Sequence, residues 1–269
     1  MIFSWISFSC PLILASFGAL ISEYAGCLAM FMEGLISLAA FLTYTFTVLT
    51  HSFLLGTILS SICCMILVTA FSLATEKLKS NKFIGSTALN LFFAALPSFL
   101  SFMIFGSRGV LTSEYFSFTP LQVRIFTIVS SAIFISLAIL FLTKTQTGLY
   151  IRITGSDADV LLAKGINPAR LRTLSWTIAA LYGSFAGSFL TMRISSFVPN
   201  ISSGRGWIAL AAVFLGKKKP VRLLISVIVF CFADILAANL QNFLPQIPGS
   251  VLISFPYLIV LCLILFDIF

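Results

Sequence analysis

The stretch SFLLGTILSSICCMILVTAFSLA, Ser52 to Ala74, runs for 23 residues without a charge and is followed closely by Lys77, Lys79 and Lys82. As a helix rising about 1.5 Å per residue it reaches about 35 Å, enough to cross the roughly 30 Å hydrocarbon core of a bilayer. The pattern repeats on both sides. Apolar runs predict further spans near Ile2–Ile21, Cys27–Leu49, Phe83–Phe105, Leu121–Leu142, Leu171–Met192, Leu223–Asn239 and Ser250–Phe266. Gly206–Gly216 is also apolar but has only 11 residues. It is too short to cross, and reads as a re-entrant element or half-helix. The expected fold is therefore all-α: a polytopic membrane bundle of about eight spanning helices plus one half-helix.

Composition agrees, since 59% of the residues are hydrophobic and 9% charged, far from soluble usage. Residues 1–269 are expected to form one membrane-embedded unit with no separate soluble domain. The opening segment has no basic region and no small-residue cleavage site before Glu23, so it is expected to be a retained span and not a signal peptide. Cys10, Cys27, Cys63, Cys64, Cys231 and Cys262 lie in or beside apolar runs without ligand-like spacing, and read as packing residues.

The net charge of +8 suggests nucleic acid in a soluble protein, but here it is explained by membrane orientation, and no nucleic-acid partner is expected. Three segments, Thr75–Lys82, Lys144–Arg172 and Lys217–Arg222, hold 12 of the 16 Lys and Arg residues. The span count puts the first two on one face, which the positive-inside rule makes cytoplasmic. The third joins them only if Gly206–Gly216 returns to that face.

Enzyme chemistry finds no footing. His51 is the one histidine and has no acidic neighbour, and GxSxG, HExxH and Cys/His pairs are absent. Gly216-Lys217 lacks the glycine and hydroxyl of a P-loop, so ATP hydrolysis would need a separate partner, and no cofactor or metal is expected. Four ionisable residues fall within apolar runs and are functional candidates by their cost: Glu23, Glu33, Asp234 and Arg193. Interfacial placement is the plainer reading for Glu23 and Arg193. Ala179, Ala180, Gly183, Ala186 and Gly187 stripe the sixth span at three- and four-residue spacing, which allows close helix approach in lipid.

Residues 144–170 carry the most specific signal. They read as a polar loop enclosing a short amphipathic helix, Ala158–Lys164, with Asp157 placed to cap its start and Gly165 its end. Gly148, Ile151, Arg152, Gly155, Ala163, Gly165, Ile166 and Asn167 follow the pattern G-x-x-I-R-x-x-G, then A, then G-I-N. In this the sequence resembles the permeases of bacterial ABC importers for branched-chain amino acids, simple sugars and nucleosides. Ser203 to Gly216, followed by Pro220, resembles a second signature of that family, near its translocation pathway. Ser22-Glu23, Gly26, Glu33-Gly34, Asn81 and Gly85–Asn90 resemble segments of the nucleoside-type branch, while Tyr24, Ala29 and Phe31 depart from its Arg, Asn and Gly.

The resemblance implies a permease subunit in a bacterial inner membrane, paired with a second, identical or related permease. It implies a cytoplasmic ABC ATPase docked on Gly148, Arg152, Gly155, Asp157, Ala163, Gly165, Ile166 and Asn167, and an extracytoplasmic binding protein that delivers the solute. Glu33, Asn90, Ser203, Gly204 and Gly206 would line the pathway of a nucleoside, simple sugar or riboflavin. The alternative is an ion-coupled secondary carrier with inverted repeats, although no convincing internal repeat is visible.

Overall fold

The computed structural model describes residues 2–116, 118–243 and 258. Nearly all of them are helical. The order is α1 (Ile2–Tyr24), α2 (Met32–Thr50), α3 (Phe53–Lys77), α4 (Lys82–Phe105), α5 (Pro120–Lys144), α6 (Gln146–Ser156), α7 (Ala158–Ala163), α8 (Pro168–Ile194), α9 (Arg205–Leu215) and α10 (Pro220–Phe243). Two short strands, β1 (Leu111–Thr112) and β2 (Ser196–Phe197), pair antiparallel.

Several long helices begin where the sequence supplies a cap. Asn81 accepts from the amides of Phe83 and Ile84 at 2.9 and 3.4 Å ahead of α4. Thr119 and Gln122 form a reciprocal capping box at α5, and Asn167 accepts from Ala169 at 2.9 Å at α8. Each cap satisfies amides with no partner inside the helix, and Pro120 and Pro168 occupy first positions where no donor is needed. Inside the spans, hydroxyls bond back one turn, as Ser16 does to the Leu12 carbonyl and Thr75 to the Phe71 carbonyl, both at 2.8 Å. These hydroxyls are thereby satisfied at membrane depth.

Among the described residues six helices are long and apolar enough to cross a membrane: the segments Trp5–Tyr24, Met32–Thr50, Phe53–Lys77, Lys82–Phe105, Pro120–Lys144 and Pro220–Ala237. This is fewer than the expected eight. The predicted span Leu171–Met192 is α8, whose 27 residues give it sufficient length but whose many Gly, Ser and Thr residues make it less apolar. The reason is its position. α8 packs against α1, α2 and α3, so much of its surface meets protein instead of lipid. Its hydroxyls bond to neighbours: Ser188 to Thr43 at 2.7 Å, and Thr191 to the Ala40 carbonyl at 3.1 Å. The small-residue stripe is buried, and a Cβ on Gly187 would sit 2.9 Å from the Ala40 amide. The predicted span Ser250–Phe266 lies outside the described residues.

The outer faces show the opposite composition. Leu54, Ile58, Ile62 and Ile66 on α3, and Ile125, Val129, Ile133 and Leu137 on α5, are exposed stripes that water would not tolerate and lipid does.

The second helix starts at Met32, later than the Cys27 that hydropathy suggests. Gly26 adopts φ 70°, the Cys27 amide turns back to the Ser22 carbonyl, and the Trp176 indole donates to the Cys27 carbonyl at 2.8 Å. The chain from Ala25 to Phe31 is thus a tethered link and not a helical turn.

All three basic segments gather at one end of the bundle. Ser72 near the end of α3 donates to Thr173 at the start of α8 at 3.2 Å. Lys218 forms an ion pair with Glu23 at 2.7 Å, and the carbonyl of Tyr24 backs directly onto Gly155 of α6. β1 and β2 lie at the opposite ends of the long helices that lead to them, since α4 and α8 both run away from the basic end.

Candidate functional site

From the end of α8 the chain does not return as a helix. Residues 195–204 run back as turns and extended backbone, with left-handed φ at Ser195 (55°), Asn200 (56°), Ser203 (46°) and Gly204 (83°). Such conformations in non-glycine residues cost on the order of 1 kcal/mol or more each, and persist only where surrounding contacts hold them. α9 then covers the remaining distance to the basic end in 11 residues, about 16 Å, or half a membrane. The half-helix expected from Gly206–Gly216 is present, and the third basic segment does rejoin the other two.

Glu33 holds the head of this half-helix. Its Oε1 accepts from the Gly204 amide at 2.7 Å and the Ser202 hydroxyl at 2.6 Å, and its Oε2 accepts from the Gly206 amide at 2.7 Å. Gly204, the residue before α9, has no side chain with which to cap it. A carboxylate from α2 caps it from outside, placing negative charge at the positive end of the helix dipole. Glu33 itself stands in the first turn of α2 and is buried, so two helix N-termini converge on one carboxylate. Ser37, one turn further along α2, bonds to Ser202 at 2.8 Å.

The head of α2 is capped in the same borrowed manner. Asn90 of α4 accepts from the Gly34 amide at 2.7 Å, and Ser86 accepts from the Phe31 amide at 3.2 Å. Gly206 is required by closeness, because a Cβ there would fall on the backbone of Glu33. Of the five expected pathway residues, Glu33, Asn90, Gly204 and Gly206 are therefore linked through hydrogen bonds or direct packing. Ser203 is exposed and bonds only to the Asn200 carbonyl among the described residues. Ser37, Ser86 and Ser202 were not foreseen. Nothing in their spacing marks them, since serine is common throughout the chain.

At the basic end, the segment 144–170 contains two helices where one was expected. α6 begins at a Thr145 cap that accepts from the Gly148 amide at 3.0 Å, and ends at Asp157. Asp157 is also the cap of α7, accepting from the Asp159 amide at 3.0 Å. α7 ends with Gly165 at φ 74°, the Ile166 amide bonded to the Leu161 carbonyl and the Gly165 amide to the Leu162 carbonyl, both at 2.9 Å. That paired closure is a Schellman motif. Asp157, Ala163, Gly165 and Asn167 are exposed. Gly148 is buried against α5, where a Cβ would press on the Phe141 carbonyl, and the Arg152 guanidinium lies over the Tyr24 ring at 5.0 Å. Gly148 and Arg152 thus join segment 144–170 to the rest of the bundle.

The remaining ionisable candidates separate. Glu23 pairs with Lys218 at the basic end, and Arg193 stacks over Phe8 at 4.5 Å in the last turn of α8. Asp234 is half-buried on α10. Arg193 and Arg124 line a cavity of about 280 Å³ with Ser7 and Ser195, at the end away from the basic segments.

Residues 1–266 match the family described as branched-chain amino acid transport system / permease component. This chain belongs to that permease family. Among its relatives are the putative glucose ABC transporter permease TsgC13 of Haloferax volcanii, 28% identical over 86% of this chain and 74% of that protein, and the nucleoside ABC transporter permease NupC of Lactococcus lactis, 26% identical over 96% and 90%. The guanosine ABC transporter permease NupQ of Bacillus subtilis is 28% identical over 94% of this chain and 86% of that protein. PsaBC from Streptococcus pneumoniae, solved in complex with a Fab, shares the fold with a TM-score of 0.59 and 15% identity, over 96% of this chain and 88% of that one. The permease is a multi-pass membrane protein and not an enzyme.

Proposed function

We propose that the permease forms the path by which a small polar solute, a nucleoside, simple sugar or riboflavin, crosses the bacterial cytoplasmic membrane. In this reading residues 1–269 act as one transmembrane domain that pairs with a second permease. An ABC ATPase docks on residues 144–170, and an extracytoplasmic binding protein delivers the solute at the far end. The observation that carries the reading is the capped, exposed α7 at the end where the basic segments gather, an ordered knob suited to a cytoplasmic partner. The glucose, nucleoside and guanosine relatives support the solute class. Glu33, Asn90, Ser203, Gly204 and Gly206 lie where irregular backbone stands next to a half-helix. Such backbone is tolerated at membrane depth only when protein or a wet cavity satisfies it. This makes them our candidates for the pathway.

The test is uptake. Vesicles holding the permease, its ATPase and its binding protein should accumulate labelled guanosine or glucose only with ATP, and an ion gradient alone should not drive uptake. Uptake driven by the gradient without ATP would sink the proposal.

Two expected outcomes follow from the basic end. Gly165→Val forces a β-branched residue to φ 74°, at about 1 to 2 kcal/mol. No atom lies within 4 Å of the new Cβ, so the strain falls on the α7 closure alone. ATP hydrolysis should continue while solute-stimulated hydrolysis and uptake fall, and unchanged stimulation would remove α7 from the docking role. Single cysteines at Lys77 and Lys164, in a background without native cysteines, should escape an impermeant thiol reagent added to intact cells. Labelling at either position would reverse the orientation.

A further inference from the structure

The contacts at the end of α1 point to a role that the family pattern does not assign to them. We infer that Tyr24 is the positioning residue through which movement of the coupling segment reaches the half-helix α9. This rests on the proposed docking of an ATPase at residues 144–170.

Tyr24 is the last residue of α1 and touches two elements at once. On one side the Arg152 guanidinium of α6 lies over its ring at 5.0 Å, and its carbonyl backs onto Gly155, where any Cβ would collide with it. On the other side its hydroxyl donates to the Lys218 carbonyl, in the turn that joins α9 to α10. The preceding residue, Glu23, pairs with the Lys218 ammonium at 2.7 Å. The α6 segment and the α9–α10 turn therefore both grip Tyr24, and the turn also holds its neighbour Glu23.

The turn being held is a strained one. Lys217 and Lys218 are consecutive non-glycine residues with φ 47° and 57°. Such a pair costs free energy and persists only when outside contacts fix it. The Lys218 amide closes on the Val213 carbonyl at 3.0 Å, so the turn is continuous with the last turn of α9. α9 is short and hydrogen-bonded along its length, so it moves as a unit, and its other end is the Glu33 junction. A pull on α6 is thus transmitted through the ring and hydroxyl of Tyr24 to the turn, and along α9 to Glu33. The chain of contacts is continuous, and coupling along it requires the strained turn to take up a second arrangement when α6 moves.

The experiment uses the permease in complex with its ATPase in lipid nanodiscs, in a background without native cysteines. Two single-cysteine reporters are compared, Leu162→Cys on exposed α7 and Trp207→Cys at the exposed head of α9. Alkylation rates are measured with and without ATP and vanadate. With Tyr24 intact both rates should change on trapping. Tyr24→Phe keeps the ring under Arg152 and deletes only the hydroxyl. It should leave the α7 response in place and shrink the α9 response by about fivefold or more. Equal α9 responses with Tyr24 and with Phe overturn the inference while leaving the docking intact. If the α7 reporter ignores the ATPase with Tyr24 present, the docking assignment itself fails, and the inference fails with it.

Discussion

Replacing Glu33 with alanine is expected to abolish solute uptake and to cost about 3 kcal/mol of stability, since three donors lose their acceptor together at about 1 kcal/mol or more each. The amides of Gly204 and Gly206 and the hydroxyl of Ser202 all point at this carboxylate. Alanine would leave the head of α9 uncapped in a buried setting, with the left-handed backbone at Ser203 and Gly204 no longer held. Glutamine separates the parts of the effect. It retains one acceptor oxygen but turns an amide NH₂ toward backbone donors, so Glu33→Gln should destabilise less than alanine while still impairing uptake. Thermal unfolding of the detergent-purified protein and uptake in vesicles measure the two effects. Glu33→Ala with normal stability and normal uptake would show that the carboxylate neither caps α9 nor serves the path.

Gly206→Leu should have an effect of similar size by a steric route. A Cβ at Gly206 would stand 2.9 Å from the Glu33 Cβ and closer still to its backbone, with no flexible side-chain tip able to give way. α2 and α9 would have to separate, breaking the capping bonds just described. Uptake should be lost, while α6 and α7, at the other end of α9, should still bind the ATPase. Co-purification of the ATPase with the variant checks the second half of this statement. Loss of ATPase binding together with uptake would mean that the protein had unfolded as a whole, and Gly206→Ala, the smallest intrusion, would then resolve a graded loss from a global one. Full uptake by Gly206→Leu would remove the junction from the pathway.

Much of this architecture is readable along the chain. Ser52–Ala74 and its neighbours mark helices because hydrocarbon requires backbone groups to be satisfied within the segment, and a run of apolar residues is the signature. Asp157 and Gly165 announce the limits of α7 because caps are local, set by residues adjacent in sequence. The 11 residues of α9 could be recognised as too short to span by counting. α6 escaped because its polar surface hides its period, and its signal, the Thr145 cap, is a single residue.

What the sequence by itself determined are features that depend on neighbours along the chain: the apolar membrane helices, the short α9, the capped α7 and the collection of basic residues into three segments. Tertiary structure alone decided that α8, the least apolar long helix, is wrapped by α1, α2 and α3. It alone brought Glu33 to the head of a helix 171 residues further along, bonded to the amide of Gly204. The physical reason is that a helix cap borrowed from another helix leaves no trace in local spacing. A buried carboxylate is marked in sequence as costly, but the donors that offset its cost are known only when the chain has folded around it.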